Sequence, residues 1–139
     1  MASSILFVLA VCASISAAEP SAAADDSISR ISSRIGLRFP PGARLLFQHL
    51  ESNRDSYLQA VLHLPKGQLH HFLITNHLSE QQFSKSNQGF LPSDEGAWDP
   101  YARGPLAVCA QDKGDGTYLY LGYVDSPNGA RLYVYWLST

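Results

Sequence analysis

The chain predicts an α+β fold. The expected architecture is an antiparallel sheet of about five strands (a β-hairpin, a helix, then a three-stranded meander), with a short N-terminal helix and the second helix packed on one face. Three observations lead there. Residues 57–64 alternate, with Leu58, Ala60, Leu62 and Leu64 on one side and Tyr57, Gln59, Val61 and His63 on the other, the period of a half-buried strand. Three strand-like runs near the C-terminus are separated by the turn-forming segments Lys113-Gly114-Asp115-Gly116 and Ser126-Pro127-Asn128-Gly129. Ile28, Ile31 and Ile35, and later Leu69, Phe72 and Leu73, recur at helical spacing.

In chain order, residues 27–35 read as an amphipathic helix that Asp25 or Asp26 can cap and Gly36 can close. Phe39-Pro40-Pro41-Gly42 breaks the chain. Residues 44–51 form a strand, Ser52 to Asp55 a turn, and residues 57–64 the second strand of a hairpin that Pro65 ends. Residues 67–78 shift to helical spacing. Residues 79–104 have no periodicity and are rich in Ser, Gln, Gly, Pro and Asp. A loop of that length in a small domain is usually functional or disordered. Residues 105–112, 117–125 and 130–138 form the meander.

The last hairpin fixes a register. If Ser126 to Gly129 is a four-residue loop, Asp125 pairs with Ala130, Leu121 faces Val134, Leu119 faces Trp136 and Tyr123 faces Leu132, while Tyr120 pairs with Tyr135 and Gly122 with Tyr133. One face is then aliphatic with a Trp, the other a tyrosine surface. A one-residue slip would mix them.

Met1 to Ala18, MASSILFVLAVCASISAA, has the layout of a secretory signal peptide: an apolar run from Ile5 to Ile15, then small residues, with Ser16 and Ala18 at the cleavage positions. The run is too short to span a bilayer, which takes about 20 apolar residues. Leu9-Ala10-Val11-Cys12 offers a second processing route, in which Cys12 is lipidated and anchors the domain. Residues 19–26, small and polar, read as a flexible leader before a single domain over 27–139.

Taking eighteen residues from 139 leaves 121, enough to bury a core without staples. Ten basic residues are scattered among twelve acidic ones, for a net charge of −2. That argues against nucleic acid and anionic membrane surfaces as partners. Without Cys12, Cys109 has no mate for an intramolecular disulfide.

No motif calls for a cofactor or metal. Of the five histidines, His70, His71 and His77 fall on the second predicted helix and His49 and His63 on strands. A seven-residue gap between His70 and His77 does not match metal-binding helices, whose ligands stand three or four apart. Cys109, inside a strand, reads as a buried thiol rather than a nucleophile. Asp112 to Gly116 places glycines where a calcium loop needs oxygen ligands, so it reads as a hairpin turn.

Two features can carry binding. The long loop bears Phe83, Phe90, Trp98 and Tyr101, and its rings either anchor a partner or fold back over the sheet. The meander bears Tyr118, Tyr120, Tyr133 and Tyr135 on one face. The reading is an exported (periplasmic or secreted) non-enzymatic domain that binds a protein or small ligand through Trp98, Tyr101 and these four tyrosines, as an inhibitor or immunity-like protein would. The alternative from another class is a histidine- or metal-dependent hydrolase of the cell envelope using His63, His70 or His77. A third reading is a structural component of the envelope.

Overall fold

The computed structural model describes residues 22–86, 98–102 and 104–139. The signal segment, Cys12, and Phe90, Asp94 and Glu95 of the long loop lie outside the described residues. Helix α1 spans Ala22–Ile35, and β1 (Arg44–Ser52) and β2 (Ser56–Leu64) form the hairpin. Helix α2 covers Gln68–Thr75, followed by a 3-10 turn at Glu80–Gln82 and β3 at Ser84–Ser86. Strands β4 (Leu106–Asp112), β5 (Thr117–Ser126) and β6 (Gly129–Ser138) complete one antiparallel sheet in the order β1-β2-β6-β5-β4-β3.

The fold is mixed α+β, with six strands rather than five. The extra one, β3, comes from the stretch read as loop, and its polar Ser84-Lys85-Ser86 carries no hydrophobic period. It is a strand only through backbone pairing of Ser84 with Val108 and Ser86 with Leu106. A three-residue edge strand with a central lysine offers little to another sheet.

The meander takes the register predicted from its turn. Asp125 pairs with Ala130, Leu121 with Val134, Tyr120 with Tyr135 and Gly122 with Tyr133. The loop is shorter than expected: Ser126 also pairs with Gly129, so the turn is the two residues Pro127-Asn128 rather than four, which leaves the register unchanged. Strand β6 then adds antiparallel to β2, with Val61 opposite Tyr133 and His63 opposite Arg131.

Both helices pack on one face of the sheet. Ile31 and Ile35 of α1 and Leu69, Phe72 and Leu73 of α2 meet Leu58, Ala60, Leu62, Leu64, Leu119, Leu121, Leu132 and Val134. Phe39 stacks on Phe72 with centroids 5.7 Å apart. Asn76 ties the end of α2 to the 37–39 segment, accepting from Arg38 N at 2.7 Å and donating to Arg38 O at 2.8 Å.

Three local expectations change. Asp25 and Asp26 lie within α1 rather than capping it, so the leader reaches into the helix, and Asp26 pairs with Arg30 at 2.6 Å one turn on. Gly36 does close α1, at φ 71°. The second helix stops at Thr75, before His77. His77 N donates to Ile74 O at 3.0 Å and Leu78 N to Leu73 O at 2.8 Å, while Leu73 and Leu78 are both buried. This is a Schellman closure with its hydrophobic contact, and His77 takes the left-handed position at φ 56°. Thirdly, β2 is not half-buried: Leu58 to Leu62 are buried on both faces, because the second face has its own cover.

That cover is Trp98, 1% exposed. It meets Tyr133 edge-on at 6.0 Å and Tyr135 at 6.3 Å. Val61, Leu106, Tyr133 and Tyr135 complete this second core, with Phe47, Tyr57, Tyr101, Val108, Tyr120, Val124 and Leu137 packed at its margin.

Trp98→Ala opens a cavity on the face without helices and is expected to lower stability by about 3–5 kcal/mol in denaturant titration. His77→Gly removes left-handed strain and is expected to raise it by about 1 kcal/mol in the same measurement.

Candidate functional site

The face away from the helices is read from the register as rows running across the strands. Arg44 pairs with His63, His63 with Arg131, and Arg131 with Val124. The next row is Phe47, Val61, Tyr133, Gly122 and Val108. Then come His49, Gln59, Tyr135, Tyr120 and Ala110, and after them Glu51, Tyr57, Leu137, Tyr118 and Asp112. Trp98 sits over the two middle rows.

Of the six residues expected to bind, the structure thus brings all onto one face but not into one role. Trp98, Tyr133 and Tyr135 are buried and hold the second core together. Tyr101, Tyr118 and Tyr120 remain half-buried. The segment at Trp98 is shaped by successive turns, with Ala102 N donating to Asp99 O at 3.3 Å and Gly104 N to Tyr101 O at 3.1 Å. Pro100 beside it is buried as well. The loop rings that can be described therefore fold back over the sheet.

The rings left partly open form an aromatic strip. Tyr120 lies 5.9 Å from Tyr135, Tyr57 stacks on Tyr135 at 6.2 Å, and His49 lies 5.6 Å from Tyr57. Leu137 fills the same margin. Sequence reading passed over Tyr57, Leu137 and His49, although the alternation of β2 and β6 already placed the first two on this face. Beneath the strip lies Gln59, 4% exposed, whose side-chain Oε1 is buried with no hydrogen-bond partner. An orphaned buried acceptor costs about 1–3 kcal/mol.

The histidines do not converge. His63 is on the tyrosine side of the sheet, while His70 sits exposed on α2 above the other side, and His77 lies past the helix end. Among the described residues no group of three or more His, Cys, Asp or Glu is placed to hold a metal ion. The Asp112–Gly116 turn is closed by Gly114 N donating to Asp112 Oδ1 at 2.8 Å and Lys113 N to Thr117 O at 2.9 Å.

A groove also runs between α1 and β1 on the helix side, lined by Ser29, Arg30, Ser33, Arg34, Leu50 and Leu58 among others. Its cations are engaged: Arg30 pairs with Asp26, and Arg34 lies over the Trp136 ring at 5.6 Å.

Burial pushes the Cys109 thiol above its ordinary value, partly offset by Lys113. Burial, and then the neighbouring Tyr120, push the Tyr135 phenol up. Both shifts favour the neutral form, so the unfolded chain loses these protons first as pH rises. Their stabilisation is intact below the ordinary values and is lost as pH climbs past about 8.5 for the thiol and 10 for the phenol. Urea midpoints are expected to fall across that alkaline range, and Tyr135→Phe to flatten the limb above about pH 10.

Compared with protein-family models, with curated proteins and with solved structures, the chain matches none of them.

Proposed function

We propose that this protein is an exported, non-enzymatic domain that binds another protein through the open end of its tyrosine face, at Tyr57, Tyr118, Tyr120 and Leu137, with Tyr101 beside it. The observation that carries the reading is the unequal cover of that face. Trp98 seals its middle, while this aromatic strip stays half-buried above an unsatisfied Gln59 acceptor. Tyrosine side chains suit such a surface because they bury a large ring with few rotors to freeze and keep a hydroxyl for a hydrogen bond. A sheet face with rings spread over three strands is broad and flat, the shape of a protein interface more than of an enclosed ligand cavity.

The export half of the proposal rests on Met1 to Ala18, with lipid anchoring through Cys12 as the other processing route. Among the described residues no helix is long and apolar enough to cross a membrane. An inhibitor or immunity-like protein is a concrete form of the role, since such proteins act by occupying a partner's surface without chemistry of their own.

The test combines affinity capture from the native medium or envelope with Tyr118→Ser and Tyr120→Ser variants. Each is expected to weaken the captured complex by about tenfold or more, the loss usual for a tyrosine hot spot, and Tyr118→Ser, outside the second core, to leave the thermal midpoint near wild type. Unchanged affinity in the double variant would refute the surface assignment. Intact-mass analysis of the mature chain reads the processing site in the same material.

A further inference from the structure

At the other end of the same face, beyond Trp98, three basic side chains stand in one row on adjacent strands. Arg44 of β1 pairs with His63 of β2, and His63 pairs with Arg131 of β6. All three project from the side opposite the helices. Phe47 and Val61, and Tyr133, two or three residues along their strands, belong to the second core, while Leu45, Leu62 and Leu132 belong to the first. A bulge between Leu45 and Phe47 keeps Arg44 on this side.

Neighbouring strands are about 4.8 Å apart, so the row spans about 10 Å with the imidazole in the middle. Arg44 and Arg131 are fixed cations on either side of His63, and among the described residues no acid stands in this row. Among the described residues the carboxylate contacts lie elsewhere: Asp26 with Arg30 and Glu51 with His49. The rest of the row and the row beside it supply Val124, Phe47, Val61, Tyr133 and Gly122, none of them acidic.

Arg131 adds a second, independent observation. Its Nε is buried and has no hydrogen-bond partner, although its guanidinium is held over the Tyr133 ring at 6.0 Å. His63 is seated as well. A Cβ at Gly129 would lie 2.8 Å from the His63 ring carbon Cε1 and would strike the Leu64 carbonyl oxygen, so the imidazole occupies room that a glycine leaves. His63 and Arg131 are therefore positioned, with Arg44 at the exposed edge of the row.

We infer that Arg44, His63 and Arg131 form a binding site for a tetrahedral oxyanion, phosphate or sulfate, taken either as the free ion or as a monoester. An oxyanion over His63 accepts from guanidinium groups on both sides, which matches their planar donor geometry. It also neutralises the row. The site does not depend on the tyrosine strip, from which Trp98 separates it.

The test is calorimetric titration of the full mature chain with sodium phosphate, sodium sulfate and phenyl phosphate, at ionic strength held constant with sodium chloride. Saturable one-to-one binding of at least one probe is expected. Arg44→Gln and Arg131→Lys are each expected to weaken it about tenfold, as loss of a charge-assisted hydrogen bond does, and Arg30→Gln, on the helix side, to leave it unchanged. Equal affinity for phosphate and phenyl phosphate identifies the free ion as the ligand, and preference for phenyl phosphate identifies a monoester head group. Arg44 is exposed, so its Gln variant stays folded. Its thermal midpoint in chloride alone is expected to equal wild type, whereas a purely structural arginine would give a lower one. No saturable binding by any probe, or undiminished binding in Arg44→Gln, overturns the site.

Discussion

Strands β2 and β6 carry apolar side chains on both faces, and that constraint governs the rest of the molecule. Their inward-facing leucines and Val134 meet the two helices, an ordinary α+β arrangement. Val61, Tyr133 and Tyr135 point the other way, where no described helix lies, and they need cover of their own. Trp98 supplies it. Burying an indole removes 150–250 Å² from water, on the order of 4–6 kcal/mol at the usual area coefficient. The segment that brings it there is held by small turns and a buried Pro100 rather than by a helix. Among the described residues, one side chain thus does for the middle of the second face what two helices do for the first.

Much of the sheet was legible because turn chemistry and alternation agree. Pro127-Asn128 with Gly129 sets the last hairpin, and segregation of leucines from tyrosines admits only one register for it. Alternation cannot say what lies over either face, however, so β2 read as half-buried when it is buried on both sides. The Trp98 loop left open whether its rings face inward or outward, since an aromatic anchor for a partner and one for the protein's own sheet have the same composition. Strand β3 was invisible for a different reason: three polar residues pair through their backbone, and backbone pairing leaves no trace in side-chain pattern. The early end of α2 did leave a trace. Leu73 and Leu78, five apart around Asn76-His77, are the hydrophobic pair of a Schellman closure, and a histidine in the position usually held by glycine concealed it.

The candidate sites were less legible because they depend on strand order. Tyr118 and Tyr120 are on β5, Leu137 on β6 and Tyr57 on β2, and they meet only because β6, the last strand of the meander, pairs with β2 of the hairpin. The same pairing places Arg131 beside His63 and so assembles the basic row from residues 44, 63 and 131. Neither grouping follows from local spacing. Once β2 and β6 are neighbours, both follow from the register alone.

The second face therefore has three zones with different physical debts. Its centre is satisfied: Trp98 is enclosed by rings. The tyrosine end is apolar and half-open above an acceptor with no donor. The basic end is polar, with Arg44 and Arg131 on either side of His63 and a buried Arg131 nitrogen that has no acceptor. A carboxylate at position 124, directly across from Arg131, would relieve the second deficit, and Val124 stands there instead. Neither buried atom is open to solvent, so what a partner meets is the half-buried rings at one end and the exposed Arg44 with half-buried His63 and Arg131 at the other. Among the described residues Trp98 fixes where each of these two ends begins.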